Sequence, residues 1–160
     1  MYSWLVFLHV LGIFGFLIAH GVSASVFFAL KNERNEERIC TLLQLSSSSA
    51  RVLLISLLTL LFSGIIAGFV GHWWRYGWIW LSLFLLIAIY AGMSLLGTRI
   101  LNEVRLGVGL PSAYGQPPRQ ERFNVEELDA RLERIHPYRL TWIGFGGLVL
   151  IAWLMMFKPF

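Results

Sequence analysis

The chain has 160 residues, 57% of them hydrophobic and 14% charged, with a formal charge of +4 and one cysteine. A mean hydropathy of +0.67 lies outside the soluble range and predicts one integral membrane domain over residues 1–160. Cys40 alone excludes an internal disulfide and any CxxC motif, and the cations are not gathered with aromatics into a nucleic-acid patch.

Residues 3–30 carry no Asp, Glu, Lys or Arg and exceed the roughly 20 apolar residues that span a bilayer, which predicts a first membrane helix. No basic segment precedes it and it is too long for a signal-peptide core; although Val22-Ser23-Ala24 resembles a cleavage site, the helix is read as retained. His9 and His20 fall about 16 Å apart along its axis and about 20° apart around it. Gly12, Phe16, Ala19 and Ser23 lie on or beside that face, and Leu5, Val10, Phe14 and Leu17 on the other. Small residues admit a neighbouring helix, so the histidine face is expected to point into a bundle. An ionisable group there marks a site or bonds a hydroxyl or carbonyl on the next helix.

Lys31 to Arg38 is a mixed-charge run, and Ile39, Leu42 and Leu43 follow at helical spacing, which predicts a short amphipathic surface helix within the 31–51 connection. Ser46 to Ser49 read as a turn or cap. The second span, 52–74, holds Gly64 and Gly68 in a GxxxG pattern, and continuing that stripe by fours gives His72. Trp73, Trp74, Tyr76, Trp78 and Trp80 form an interfacial belt around a short turn at Arg75, so spans two and three form a hairpin. The third span, 77–100, carries Ala88 and Gly92 at packing distance and Tyr90, whose hydroxyl needs a partner if buried.

The 101–139 connection opens with a Gly- and Pro-rich loop over 107–118. Asn124 with Glu127 then forms a capping box for a surface or docking helix with the apolar stripe Val125, Leu128, Leu132 and Ile135, supported by a Glu127–Arg131 pair and ended by Pro137 after His136. The fourth span, 140–157, ends at Met155 and Met156. Lys31, Arg34, Arg38 and Arg51 fall in the first long connection and Arg99, Arg105, Arg119, Arg122, Arg131, Arg134 and Arg139 in or beside the second, against Arg75 and Lys158 opposite. The positive-inside rule then predicts a four-transmembrane-helix all-α bundle with both termini outside.

His9 near the outer end of the first helix and His72 near the outer end of the second match in depth. Two such imidazoles suit axial ligation of haem b, and electron transfer follows when no iron position is open; with one ligand, an oxidase or a sensor follows. His20, deeper, is the competing ligand or a proton relay. A copper reading joins His9 and His72 to Met155 and Met156, since imidazole with thioether suits Cu(I). A cofactor-free accessory subunit, packed against other membrane subunits or a second copy, is the alternative of a different class. Every Asp and Glu lies in the two long connections and no Ser/His/Asp or HExxH pattern occurs, which excludes conventional hydrolases.

Met1-Tyr2-Ser3-Trp4-Leu5-Val6-Phe7-Leu8-His9, the segment Thr59 to Gly64, and Lys158-Pro159-Phe160 resemble the superfamily of small membrane proteins that includes the copper-resistance D proteins and the bacterial haem-dependent membrane protoporphyrinogen oxidase. The resemblance implies a four-helix fold in the bacterial cytoplasmic membrane and a haem-associated role for His9. Tyr90 is followed by Ala91 where the oxidase family has histidine, and that family's early helix-three lysine and Pro-Arg pair are absent. The resemblance therefore does not carry porphyrinogen oxidation onto this chain.

Overall fold

The computed structural model describes residues 2–160, and every regular element among them is helical. Five helices follow in order: α1 (Tyr2–Asn32), α2 (Glu36–Val70), α3 (Gly77–Gly107), α4 (Val125–Glu133) and α5 (Pro137–Phe157). All but α4 are long and apolar enough to cross a membrane, so the chain is a multi-pass helical membrane protein. Phe14, Ile55, Phe69, Phe84 and Ile87 are each more than half exposed along these helices, which suits contact with lipid.

The two ends of the bundle differ. Tyr2 packs edge-on against Trp73, and the Trp78 N–H donates to the Phe160 carbonyl at 3.3 Å, so the start of α1, the α2–α3 turn and the end of α5 share an aromatic end. The opposite, charged end holds the two long connections. There Leu30, Ile39, Leu43, Val104, Leu132 and Ile135 are fully buried, drawn from α1, α2, α3, α4 and the residues after α4. Along the spans, contact depends on glycine: a Cβ on Gly12 would come within 2.9 Å of the Leu60 nitrogen, so α1 lies directly on the α2 backbone.

The 31–51 connection holds no separate surface helix. The chain turns at residues 33–35, Asn35 caps α2 by accepting from the Arg38 N–H at 3.1 Å, and α2 then runs unbroken through Ser46 to Ser49. The chain does not turn there, and three of the hydroxyls are satisfied within the helix: Ser47 donates to Leu43 O, Ser48 to Gln44 O and Ser49 to Ser46 O, while Ser49 also meets Ser23 of α1 at 3.0 Å. At about 1.5 Å per residue α2 is roughly 50 Å long and overshoots a hydrocarbon core of about 30 Å. The overshoot builds the charged-end core. α3 likewise continues past Arg99 to Gly107, and Pro137 opens the last helix three residues before its expected start, since proline suits a first helical position.

α4 has its capping box, with Glu127 N–H donating to Asn124 Oδ1 at 2.8 Å and Asn124 N–H to Glu127 Oε2 at 3.1 Å. It docks through Leu132 and is followed by buried Ile135, while Val125 at the head of the stripe is 77% exposed. Arg131 pairs with Glu103 of α3 in place of Glu127, tying α4 to the bundle.

One cation is built into this end. Arg105 is 9% exposed; its Nε donates to Pro111 O at 2.8 Å, and its Nη1 donates to Leu43 O at 2.9 Å and to Ser47 Oγ. It joins α3, α2 and the following loop with no carboxylate partner among the described residues. Arg105→Ala is expected to cost on the order of 3 kcal/mol of stability, measured by unfolding in detergent, because three acceptors lose a charged donor. Arg105→Lys recovers only part, since an ammonium lacks the fork.

A pH dependence follows from the connection after α1. The Asn35 and Arg34 N–H groups, each 3.0 Å from Glu33 Oε1, hold the Glu33 carboxyl below the usual carboxylate range. A depressed folded-state pKa stabilises above the unfolded value and is lost as pH falls through the folded one. Amide exchange at Arg34 and Asn35, corrected for its intrinsic pH dependence, is expected to lose protection on acidification through that range and to be unprotected at neutral pH in Glu33→Ala, which removes the acceptor.

Candidate functional site at the intramembrane histidines

His9 and His20 start from nearly the same face of α1 and reach different neighbours. His9 turns to α2. Its Nδ1 lies 2.9 Å from the Leu60 carbonyl and 3.4 Å from Ser63 Oγ, and its ring occupies the space over Gly64, where a Cβ would come within 2.9 Å of Cε1. A carbonyl only accepts, so Nδ1 carries a proton, and in the neutral imidazole the lone pair is then on Nε2. Gly64 of the GxxxG pattern thus seats a histidine from the opposing helix. Gly68 is covered instead by the Trp74 indole, 3.1 Å from where its Cβ would lie.

The stripe does not reach His72. α2 ends at Val70, Gly71 closes it by donating to Ala67 O at 2.8 Å, and His72 takes the left-handed conformation (φ 55°), exposed on the turn ahead of Trp73–Arg75. The cause is local: Trp73 folds back onto Gly71, where a Cβ would come within 2.7 Å of the indole. The matched depth fails as well. His9 is level with Leu60 to Gly64, and Val70 already stands roughly 9 Å further along the axis at about 1.5 Å per residue. Two axial imidazoles must meet across a single iron, so His9 and His72 of one chain do not fit one haem.

His20 turns to α5 and is 4% exposed. It stacks on Phe16 (centroids 5.9 Å apart, 9° between planes) and takes Phe145 edge-on at 4.9 Å. Its Nε2 presses against Gly144, where any Cβ would collide with it, and has no hydrogen-bond partner among the described residues. Beside the ring is a cavity of about 10 Å³, bordered by Ala24, Phe27, Met93, Pro137, Leu140 and Thr141. That is room for about one water and none for a macrocycle. Thr141 Oγ1, which donates to Pro137 O at 2.8 Å, brings a hydroxyl to the cavity wall.

Two wide helical turns flank this cavity. Ser94–Thr98 follows Met93 in α3 and Trp142–Gly146 follows Thr141 in α5, and both are π-helical. Such turns recur at functional sites because they widen a helix locally and leave its carbonyls irregularly paired. Here each contains a glycine facing a ring of α1: Gly144 faces His20, and Gly97 faces Phe27 at 3.2 Å from its would-be Cβ. Neither glycine is singled out by helical periodicity. The signal present in the sequence is the dense Gly144, Gly146 and Gly147 cluster inside an apolar span.

His136 stands exposed before α5 at the charged end. Met156 is 79% exposed at the aromatic end, and the methionine that shares a cavity with a histidine is Met93, not Met155 or Met156. No cluster of three or more His, Cys, Asp or Glu able to hold a metal occurs among the described residues. Fold and site define the class: a multi-pass helical membrane protein with one buried, unpartnered imidazole where three of its four long helices meet. No family model, curated protein or solved structure matches the chain.

The His20–Gly144 contact has a direct test. Gly144→Ala is expected to cost about 1–3 kcal/mol, as overpacking does. Most of that loss should vanish in a His20→Ala background, where the new methyl fills vacated space. Equal losses in both backgrounds by detergent unfolding would show that the two residues do not share this contact.

Proposed function

We propose that this chain is an accessory subunit that acts by packing against other transmembrane helices in a larger complex, without a cofactor of its own. We further place it in a bacterial cytoplasmic membrane with the aromatic end and both termini outside, because the cations concentrate at the other end. The observation that carries the reading is Tyr90. It lies roughly 18 Å along α3 from Trp78, at about 1.5 Å per residue, and is therefore deep in the bilayer. It is 54% exposed, and its hydroxyl makes no hydrogen bond among the described residues. A phenol in hydrocarbon needs an acceptor, and a transmembrane helix of another chain packed on this exposed face would supply one.

A second reading rests on His9. With Nδ1–H held by the Leu60 carbonyl, its free Nε2 has the tautomer and second-shell support of a metal-bound histidine. His9 would hold haem b through Nε2, and the group would supply electron-transfer chemistry near the outer face. The resemblance stated from the sequence singles out the same residue. Copper handling retains one soft pair on a shared cavity, His20 with Met93.

One preparation separates these readings. The protein is purified in mild detergent with a photo-crosslinking amino acid at position 90, and its absorption spectrum and metal content are recorded. Co-migration with larger partners and a crosslink from position 90 to a membrane protein are expected; a monomer crosslinked only to lipid overturns the subunit reading. A Soret band that disappears in His9→Ala would establish the haem reading, and copper lost in His20→Ala would establish the third.

A further inference from the structure

The aromatic end holds a second feature, independent of the histidines. α5 stops at Phe157, Lys158 takes the left-handed conformation (φ 46°), and its N–H closes the helix on Leu154 O at 2.9 Å. The following residues are pinned across the start of α3: Phe160 O accepts from Trp78 N–H, and the Phe160 ring lies over Gly77, 2.8 Å from its would-be Cβ. This holds the Lys158 ammonium 4.8 Å from the Trp73 ring centroid and 5.8 Å from that of Trp78. Gly71, Trp73, Tyr76, Trp78 and Lys158 together border a groove of about 340 Å³. That volume is at the lower end of the range for small-molecule sites.

No Asp or Glu side chain reaches this groove. All nine Asp and Glu side chains belong to residues 33–37, 103 and 121–133, at the opposite end of the helices. The other cation here, Arg75, is engaged by Tyr76: it donates to the Tyr76 hydroxyl at 3.0 Å and lies 5.0 Å over its ring. Lys158 Nζ makes no ion pair or hydrogen bond among the described residues. Three ammonium donors are thus held in place, and the Tyr76 hydroxyl, which accepts from Arg75, still has a proton to donate.

We propose that this groove is a phosphate-binding site, with Lys158 as the charge, the Tyr76 hydroxyl as a second donor, and the Trp73 and Trp78 rings as the walls. A tryptophan belt lies at headgroup depth, so the phosphate of an anionic lipid and a free phosphate anion share the chemistry required.

The test uses the full chain in a nonionic detergent. Dihexanoyl phosphatidylglycerol, dihexanoylglycerol and inorganic phosphate are each titrated while tryptophan fluorescence and the thermal midpoint are followed. Saturable change with phosphatidylglycerol and none with dihexanoylglycerol is expected. Affinity should fall about tenfold in Lys158→Gln, be retained in Lys158→Arg, and weaken with added salt in the unmodified protein. Saturation by inorganic phosphate with the same Lys158 dependence would assign the site to the free anion. Equal binding in Lys158→Gln, equal response to dihexanoylglycerol, or no saturable response to either phosphate source would overturn the proposal.

Discussion

The bundle depends on rings of one helix resting on glycines of the other three. His9 of α1 occupies the space over Gly64 of α2, Phe27 meets Gly97 of α3, and His20 meets Gly144 of α5. Lipid tails are as apolar as leucine, so apolar side chains gain little by meeting each other inside a bilayer; close van der Waals contact must hold the helices together. A flat ring against a bare backbone provides that contact over a large area. Where the helix must widen to receive the ring, α3 and α5 each form a π turn.

Outside the apolar spans a different force applies. At the charged end α2, α3 and α4 enclose a core of fully buried Leu, Ile and Val side chains, the arrangement water drives. Arg105 is the junction between the two regimes. Its guanidinium satisfies carbonyls from a helix and a loop beside this core, and it does so through charged hydrogen bonds rather than an ion pair.

Polar groups within the spans divide into those already satisfied and those left open. His9, Ser23 and Ser49 are engaged between α1 and α2. His20 Nε2 is buried without a partner, and Tyr90 faces outward without one. The first is out of reach of any other chain, whereas the second lies on the exposed surface, where the proposed partner helix would meet it.

Four membrane spans, the hairpin at Arg75, the capped helix after Asn124 and the inward face of His9, Gly12, Phe16, Ala19 and His20 were legible from the chain, because they rest on apolar run length, local cap chemistry and helical period. All are local properties. Tertiary structure decided the rest. Ser46 to Ser49 became helix, with the Ser47, Ser48 and Ser49 hydroxyls on carbonyls one turn back; His72 left the stripe because Trp73 folded onto Gly71; Arg131 chose Glu103 over its own helix. The two histidines diverged because they stand about 16 Å apart along α1, where the same face meets α2 at one depth and α5 at the other. Periodicity locates a residue on a face, but only the packed neighbours determine which helix that face meets.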